Sequence, residues 1–397
     1  MICIKVRNII LITIEMMIAG LVYAWSAISP DLISSFGNVP DAKSSLVFTV
    51  CMIFFCIGGL IAGKLSSKIS RKIILFSGII FISLGLALSI LVKNFNLLFL
   101  TYSLFCGMGA GIIYNVCLGI VVLIDEENVG KTSGILLMAY GLGAFVMGFV
   151  YKLLIEILPS FKHIYILLAL IFGVLGSLSA FLIKLPKNEN QTYSETNTEK
   201  NNIFKSFDFY IFFIFTILFS GIGFILISHA NKIIISQINV DIIKYITVLS
   251  GLVAIANGAG RVLHGFILDK IDIKHSLFVA PLMLIITYAL LSLTSAIKVN
   301  IVIAIMILIL GGASFAGIPP MNAKFIKEAF GKEHYSFNFA LINLNVLISS
   351  FFPVSFGKLI DLGLSYTKIY LIQFAISIVG ILIAFVLSKR ISKSYVK

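Results

Sequence analysis

Apolar residues along this chain come in blocks of about twenty, separated by short polar stretches. A block of that length matches a hydrocarbon layer ~30 Å thick at 1.5 Å of rise per helical residue. About twelve blocks predict as many membrane-spanning helices. They cover residues 8–30, 45–64, 73–92, 96–124, 129–155, 163–184, 208–230, 245–267, 275–296, 299–318, 335–357 and 366–388. The longest polar stretch, Pro186 to Phe207, is rich in Asn, Thr, Glu and Lys and cannot bury a core. It follows the sixth span. The expected organisation is therefore a six-helix bundle over 1–185, a polar linker over 186–207 and a second six-helix bundle over 208–397.

The halves repeat. After span two the chain reads GKLSSKISRK, Gly63 to Lys72, and after span eight GFILDKIDIK, Gly265 to Lys274. Gly130-Lys131 before span five has its counterpart in Gly331-Lys332 before span eleven, and both pairs of loops stand about 200 residues apart. Duplicated bundles suit a transporter, because two similar halves can rock about a site at the midplane.

Composition agrees with lipid as the solvent. The 397 residues are 59% hydrophobic and 12% charged, with a mean hydropathy of +1.09. Soluble domains are nearer ~25% charged. The net charge of +13 lies in short loops, not in a stripe with interleaved aromatics, so it orients the chain in a membrane and argues against nucleic acid as a partner. With the N-terminus inside, about 20 of the 30 Lys and Arg are cytoplasmic, about nine external and one intramembrane. Both termini and the linker are then expected in the cytoplasm, in a plasma (inner) membrane protein read as a monomer. The basic start followed by an apolar run resembles a signal peptide. Glu15 interrupts that run and no small-residue cleavage site follows, so a retained first span is expected. Cys3, Cys51, Cys56, Cys106 and Cys117 lack disulfide-framework and zinc spacing and read as packing residues. Gly109-x-Gly111 is not a nucleotide loop, since no strand or Lys-Ser/Thr accompanies it. The glycines of spans four and five (Gly107, Gly109, Gly111, Gly141, Gly143, Gly148) read as close helix approaches. No cofactor, metal site, ATP-driven motor or catalytic pair is expected, which sets enzymes aside.

Two charges stand inside spans. Arg261 in span eight has apolar or small neighbours in sequence, and an Arg that deep costs ~2.5–3.5 kcal/mol on insertion scales. It calls for a partner, a water-filled cavity or a route to the interface. Glu15 in span one is the candidate for proton coupling, with a salt bridge or an interhelical hydrogen bond as the alternative. Asn257 lies four residues before Arg261 on the same helical face and could orient the guanidinium or a substrate. His229 and His264 read as packing or hydrogen-bonding residues.

The loop Gly265, Asp269, Lys270, Lys274 resembles the loop after helices two and eight of the major facilitator superfamily. Gly63, Lys68 and Lys72 match it in the first half, with Ser67 where Asp is usual. Within that superfamily, five segments resemble helices of the oxalate/formate antiporter family in the right order. They are GLVYAWSAISPDLISSFG (Gly20 to Gly37), GMGAGIIYN (Gly107 to Asn115), SGILLMAYGLGAF (Ser133 to Phe145), ILISHANKIIISQ (Ile225 to Gln237) and NGAGRVLHGFILDKI (Asn257 to Ile271). The last is shared in outline with the monocarboxylate porters.

The resemblance implies an all-α fold of twelve transmembrane helices in two pseudo-symmetric bundles, and a secondary transporter. It implies that Arg261 binds a substrate carboxylate, and a guanidinium fork suits that role. Aromatics at matching places wall the family's cavity, which points to Tyr23, Trp25, Tyr114 and Tyr140. Dicarboxylate-transporting relatives carry a lysine in helix eleven. This chain has no Lys or Arg from Tyr335 to Pro353 but has Asn338, Asn343 and Asn345, of which Asn343 is taken as a substrate contact. One fixed cation fits one carboxylate. The expected substrate is therefore a small monocarboxylate, moved in exchange for another anion or with protons. The alternatives are a cation or drug exporter that uses Glu15, and a membrane sensor with a transporter-like body.

Overall fold

A computed structural model of the chain describes residues 2–25, 28, 35–37, 39, 41–158, 160–185, 203–238, 246–332 and 334–394. Residues 186–202 of the predicted linker lie outside them. The described residues form helices and turns, with no strand among them. Eleven helices among the described residues are long and apolar enough to cross a membrane, and the predicted eighth span is the 25-residue helix Ile246–Lys270. Two compact units result: Met1–Asn197 with Phe330–Leu341, and Thr198–Ala329 with Ile342–Lys397.

The first unit holds α1 (Ile2–Ala19), α2 (Asp41–Leu65), α3 (Arg71–Ser89), α4 (Gly107–Ile124), α5 (Val129–Ile157) and α6 (Phe161–Leu182). A π-helical turn, Phe99–Cys106, leads into α4. Glycine sets the closest approaches. A Cβ on Gly111 would fall 1.9 Å from Phe55 O, and one on Gly58 or Gly107 would fall 2.3 Å from Met108 O or Cys51 O. Thus α2 and α4 touch backbone to backbone. Small residues permit this contact, which association in lipid relies on.

The first helix begins six residues earlier than its apolar block because its charge is met. Lys5 Nζ lies 2.6 Å from Asp125 Oδ1 at the end of α4. Asp125 also accepts from Thr132 Oγ1 (2.6 Å) and Asn128 Nδ2 (3.0 Å). Burial pushes this carboxyl up, but the hydrogen bonds from Lys5, Thr132 and Asn128, with the Lys5 charge, outweigh it and hold it below the usual carboxylate value. The stabilisation is therefore complete above the ordinary carboxylate range and is lost as pH falls through the lowered folded-state value. We expect Asp125→Asn to lower stability by ~1–3 kcal/mol and to flatten the acid limb of a plot of unfolding temperature against pH. An unchanged acid limb would assign that limb to other groups.

The second unit holds α7 (Phe207–Ser228), α8 (Ala230–Gln237), α9 (Ile246–Lys270), α10 (Ile273–Ile297), α11 (Ile301–Phe315) and α12 (Ile318–Phe330). The helix Tyr335–Asn343 (α13) crosses the division between units. It is followed by α14 (Asn345–Ser349), α15 (Phe351–Asp361) and α16 (Tyr366–Ser394). Asn300 caps α11 by accepting from Ile303 N at 3.0 Å. Arg390 of α16 pairs with Asp208 in the first turn of α7. The short helix α8, unexpected from the apolar pattern, is held by Lys298, which donates to Ser236 O, and by Gln237, which donates to Leu291 O at 3.3 Å. Beside it, His229 stands at the carbonyl oxygen of Pro353. Its Nε2 donates to that carbonyl at 3.0 Å.

Span ten runs twelve residues past its predicted end at 318. Pro319 and Pro320 suggest a stop. They fall instead in the first turn of α12, where proline's missing N–H costs little. The result is one bent span, α11 then α12, jointed at Ala316-Gly317.

Candidate functional site

In the first unit the structure brings three of the four predicted aromatics together. Tyr140 of α5 meets Tyr23 at 5.2 Å between ring centroids and Tyr114 of α4 at 5.2 Å, both edge to face. Phe48 and Phe55 of α2 extend the group, at 5.7 Å from Tyr23 and 5.3 Å from Tyr114. Close approach of α1 to α5 makes this cluster. A Cβ on Gly20 would fall 2.2 Å from Tyr140 O, and one on Gly143 2.2 Å from Met17 O. Edge-to-face rings hold one another in fixed orientations, each pair contributing ~0.5–1.5 kcal/mol. Trp25 is placed elsewhere: it is buried with its ring 5.0 Å from that of Tyr102.

Glu15 faces a different seam of the same unit. It is fully buried, Ser179 of α6 donates to its Oε1, and Oε2 accepts no hydrogen bond among the described residues. About two turns earlier, Asn8 donates to Lys184 O at 2.7 Å. The carboxyl thus belongs to the α1–α6 contact, not to the aromatic group. Ser179 gave no signal in the sequence, because a lone Ser in an apolar run reads as packing.

The loop residues divide. A Cβ on Gly63 would fall 2.6 Å from Ser336 O, so α2 touches the start of α13 there. Asn115 Nδ2 donates to the same Ser336 O at 2.9 Å, and Lys332 pairs with Glu126 at 3.1 Å. Arg71, at the start of α3, is buried beside Gly119 of α4. Lys72 Nζ donates to Phe181 O at 3.1 Å and Lys68 is exposed. In the second unit Gly265 is buried, Lys270 exposed and Asp269 half-buried, while Lys274 stands 4.0 Å from Asp272.

Arg261 is half-buried on α9, the sixteenth of its 25 residues. Its helix lies against the bend of α11 and α12. Asn257 Nδ2 donates to Gly312 O at 3.1 Å and His264 Nε2 to Ala313 O at 3.0 Å. The bend supplies the second acceptor, since Gly317 N turns to Ser314 O and leaves Ala313 O for the imidazole. Gly260 permits the approach: a Cβ there would fall 2.7 Å from Ala316 Cβ. Asn257 therefore spends its amide nitrogen on the neighbouring helix. Asn343 ends α13 and is buried, as is Asn345, whose amide oxygen and nitrogen have no hydrogen-bond partner among the described residues.

The sequence matches the family model of the Major Facilitator Superfamily over residues 10–353. YhjX of Escherichia coli strain K12, an uncharacterized MFS-type transporter, is 24% identical over 340 residues, which are 83% of this chain and 82% of that protein. The structure of the E. coli fucose:proton symporter FucP aligns with a TM-score of 0.73 at 17% identity, over 96% of this chain and 98% of that one. That of the proton:xylose symporter XylE, bound to 6-bromo-6-deoxy-D-glucose, aligns with a TM-score of 0.72 at 15% identity, over 97% and 96%. At these identities the two structures speak for the fold alone. The chain belongs to the Major Facilitator Superfamily: it is an integral membrane transporter of all-helical fold, and not an enzyme.

Proposed function

We propose that the chain is a secondary active transporter of small organic anions bearing one carboxylate, working by alternating access as an antiporter or a proton symporter. The observation that carries this reading is Arg261, a half-buried cation on the 25-residue helix that the sequence predicts as the eighth span. A guanidinium presents two parallel donors to a carboxylate, and its charge is strengthened where water is scarce. Tyr23, Tyr114 and Tyr140 are the proposed aromatic wall. In the second unit, Asn257 and Asn343 are the proposed polar contacts, with Asn257 acting through its amide oxygen. Trp25, whose ring packs on that of Tyr102, lies apart from the tyrosine group and is left out of the wall. Lys68, Lys72, Gly63, Gly265, Asp269, Lys270 and Lys274 are the proposed conformational loops. Both termini are proposed to face the cytoplasm, from the inside excess of Lys and Arg.

Thermal unfolding of the purified protein with acetate, lactate, formate or oxalate tests ligand choice directly. A ligand at 100 times its Kd stabilises by ~2.7 kcal/mol. Lactate or acetate is expected to raise the unfolding temperature of the unmodified protein and not of Arg261→Gln, and oxalate to raise neither. A second reading, a cation or drug exporter, is favoured by one observation: the unpartnered Oε2 of the buried Glu15. It predicts stabilisation by an organic cation, lost in Glu15→Gln, with no response to any carboxylate.

A further inference from the structure

Lys324 was not singled out by its sequence, since it lies beyond the predicted end of span ten at 318. The structure buries it, 8% exposed, on the second limb of the bent span. Its ammonium crosses to the neighbouring helix. There it donates to Leu268 O and, at 3.0 Å, to Ile271 O, at the end of α9. Glu328, one turn further along α12, stands 3.5 Å away. The last four carbonyls of a helix have no partner within it, and together they carry the negative end of its dipole. A lysine supplied from another helix satisfies both at once. A buried ammonium is costly unless every proton finds an acceptor, so the two carbonyls are held where the ammonium needs them.

That contact is the third tie between the same two spans. Asn257 and His264 bond to Gly312 O and Ala313 O, and Lys324 bonds to the end of the helix. Arg261 lies four residues after the first tie, three before the second and seven before Leu268, the start of the third. We infer that Lys324 is a positioning residue, which fixes the rotation and depth of α9 and thereby the direction of the Arg261 guanidinium. The inference rests on the anchoring role proposed above for Arg261, and its test separates the two.

The experiment compares Lys324→Met, which keeps the bulk and removes the charge, with Lys324→Arg, in full-length protein reconstituted into nanodiscs and proteoliposomes. Hydrogen exchange of the amides from Leu268 to Ile271 is expected to quicken by about tenfold in Lys324→Met, through fraying of the uncapped turn, and to return towards the original rate in Lys324→Arg. Modification of Arg261 by phenylglyoxal, followed by peptide mass spectrometry, is expected to change in rate with the same pattern. The half-saturating lactate concentration is expected to rise by about five- to thirtyfold in Lys324→Met, with a smaller change in the maximal rate. Unchanged exchange at residues 268–271 overturns the cap. Altered exchange with an unchanged phenylglyoxal rate and unchanged half-saturation overturns the positioning role. Should the unmodified protein transport no carboxylate, the anion reading falls, while exchange and phenylglyoxal still decide the role of Lys324. If Lys324→Met is not recovered folded, Lys324→Gln is measured in the same way.

Discussion

Replacing Arg261 with lysine is expected to cut carboxylate uptake by about 10- to 100-fold, and replacing it with glutamine by more. Lysine keeps the charge but offers a point donor in place of a planar fork. One of two charge-assisted hydrogen bonds is lost, each worth ~1.5–3 kcal/mol. The loss should appear mainly in the half-saturating concentration if Arg261 holds substrate in all states, and in the rate if it holds substrate only during the crossing. The variants must first be shown to be folded, by unfolding temperatures near that of the unmodified protein. Uptake by Arg261→Lys equal to that of the unmodified chain would remove the anchor.

The second large effect concerns stability. Gly111→Ala places a methyl 1.9 Å from Phe55 O, a backbone atom that no rotamer change can move aside. Relief requires α2 and α4 to part, and the neighbouring approaches at Gly58 and Gly107 resist that. Overpacking of this kind costs ~1–3 kcal/mol or more, which corresponds to a fall of about 2–10 °C in unfolding temperature for a unit of this size. Gly59 on the same helix is the control. A Cβ there meets its nearest atom, Gly111 O, at an ordinary 3.6 Å, so Gly59→Ala should unfold near the original temperature. Equal behaviour of the two variants would mean that the seam is looser than its geometry.

The helical architecture was readable because lipid makes the pattern coarse: a span needs only length and apolarity, and both are written along the chain. Departures from that pattern occur where a polar residue has found a partner on another helix. Lys5 extends the first helix because Asp125 meets it. Lys324 extends the tenth span because the end of α9 receives it. Neither pairing is local in sequence, so neither could be read from a run of residues. Segment 330–341 groups with the first unit, as a cut at the linker did not foresee. Among the glycines of spans four and five, Gly107, Gly109, Gly111 and Gly143 did signal close approach, since packing against a facing backbone leaves no room for a side chain. Among the candidate site residues, Tyr23, Tyr114 and Tyr140 converge as aromatics near one another on adjoining helices can. Trp25, only two residues after Tyr23, points to another neighbour, because the 3₁₀ turn Gly20–Ala24 rotates by roughly 240° over that interval. Polar residues within a span carried the least information. Asn257 resembles a ligand contact in sequence, but in the structure its amide bonds to Gly312 O of the neighbouring helix, while His264, read as a hydrogen-bonding residue, satisfies Ala313 O, which the bend leaves free.

The claim that the transported solute carries one carboxylate, held by Arg261, is tested most directly by uptake into proteoliposomes of purified protein. Labelled lactate, acetate, formate, oxalate and xylose would be compared side by side, in the unmodified chain and in Arg261→Lys. The account predicts uptake of one or more of the three monocarboxylates, well above oxalate and xylose, and its collapse in the variant. Uptake of xylose or oxalate in preference to every monocarboxylate, or monocarboxylate uptake that survives Arg261→Lys intact, would contradict it.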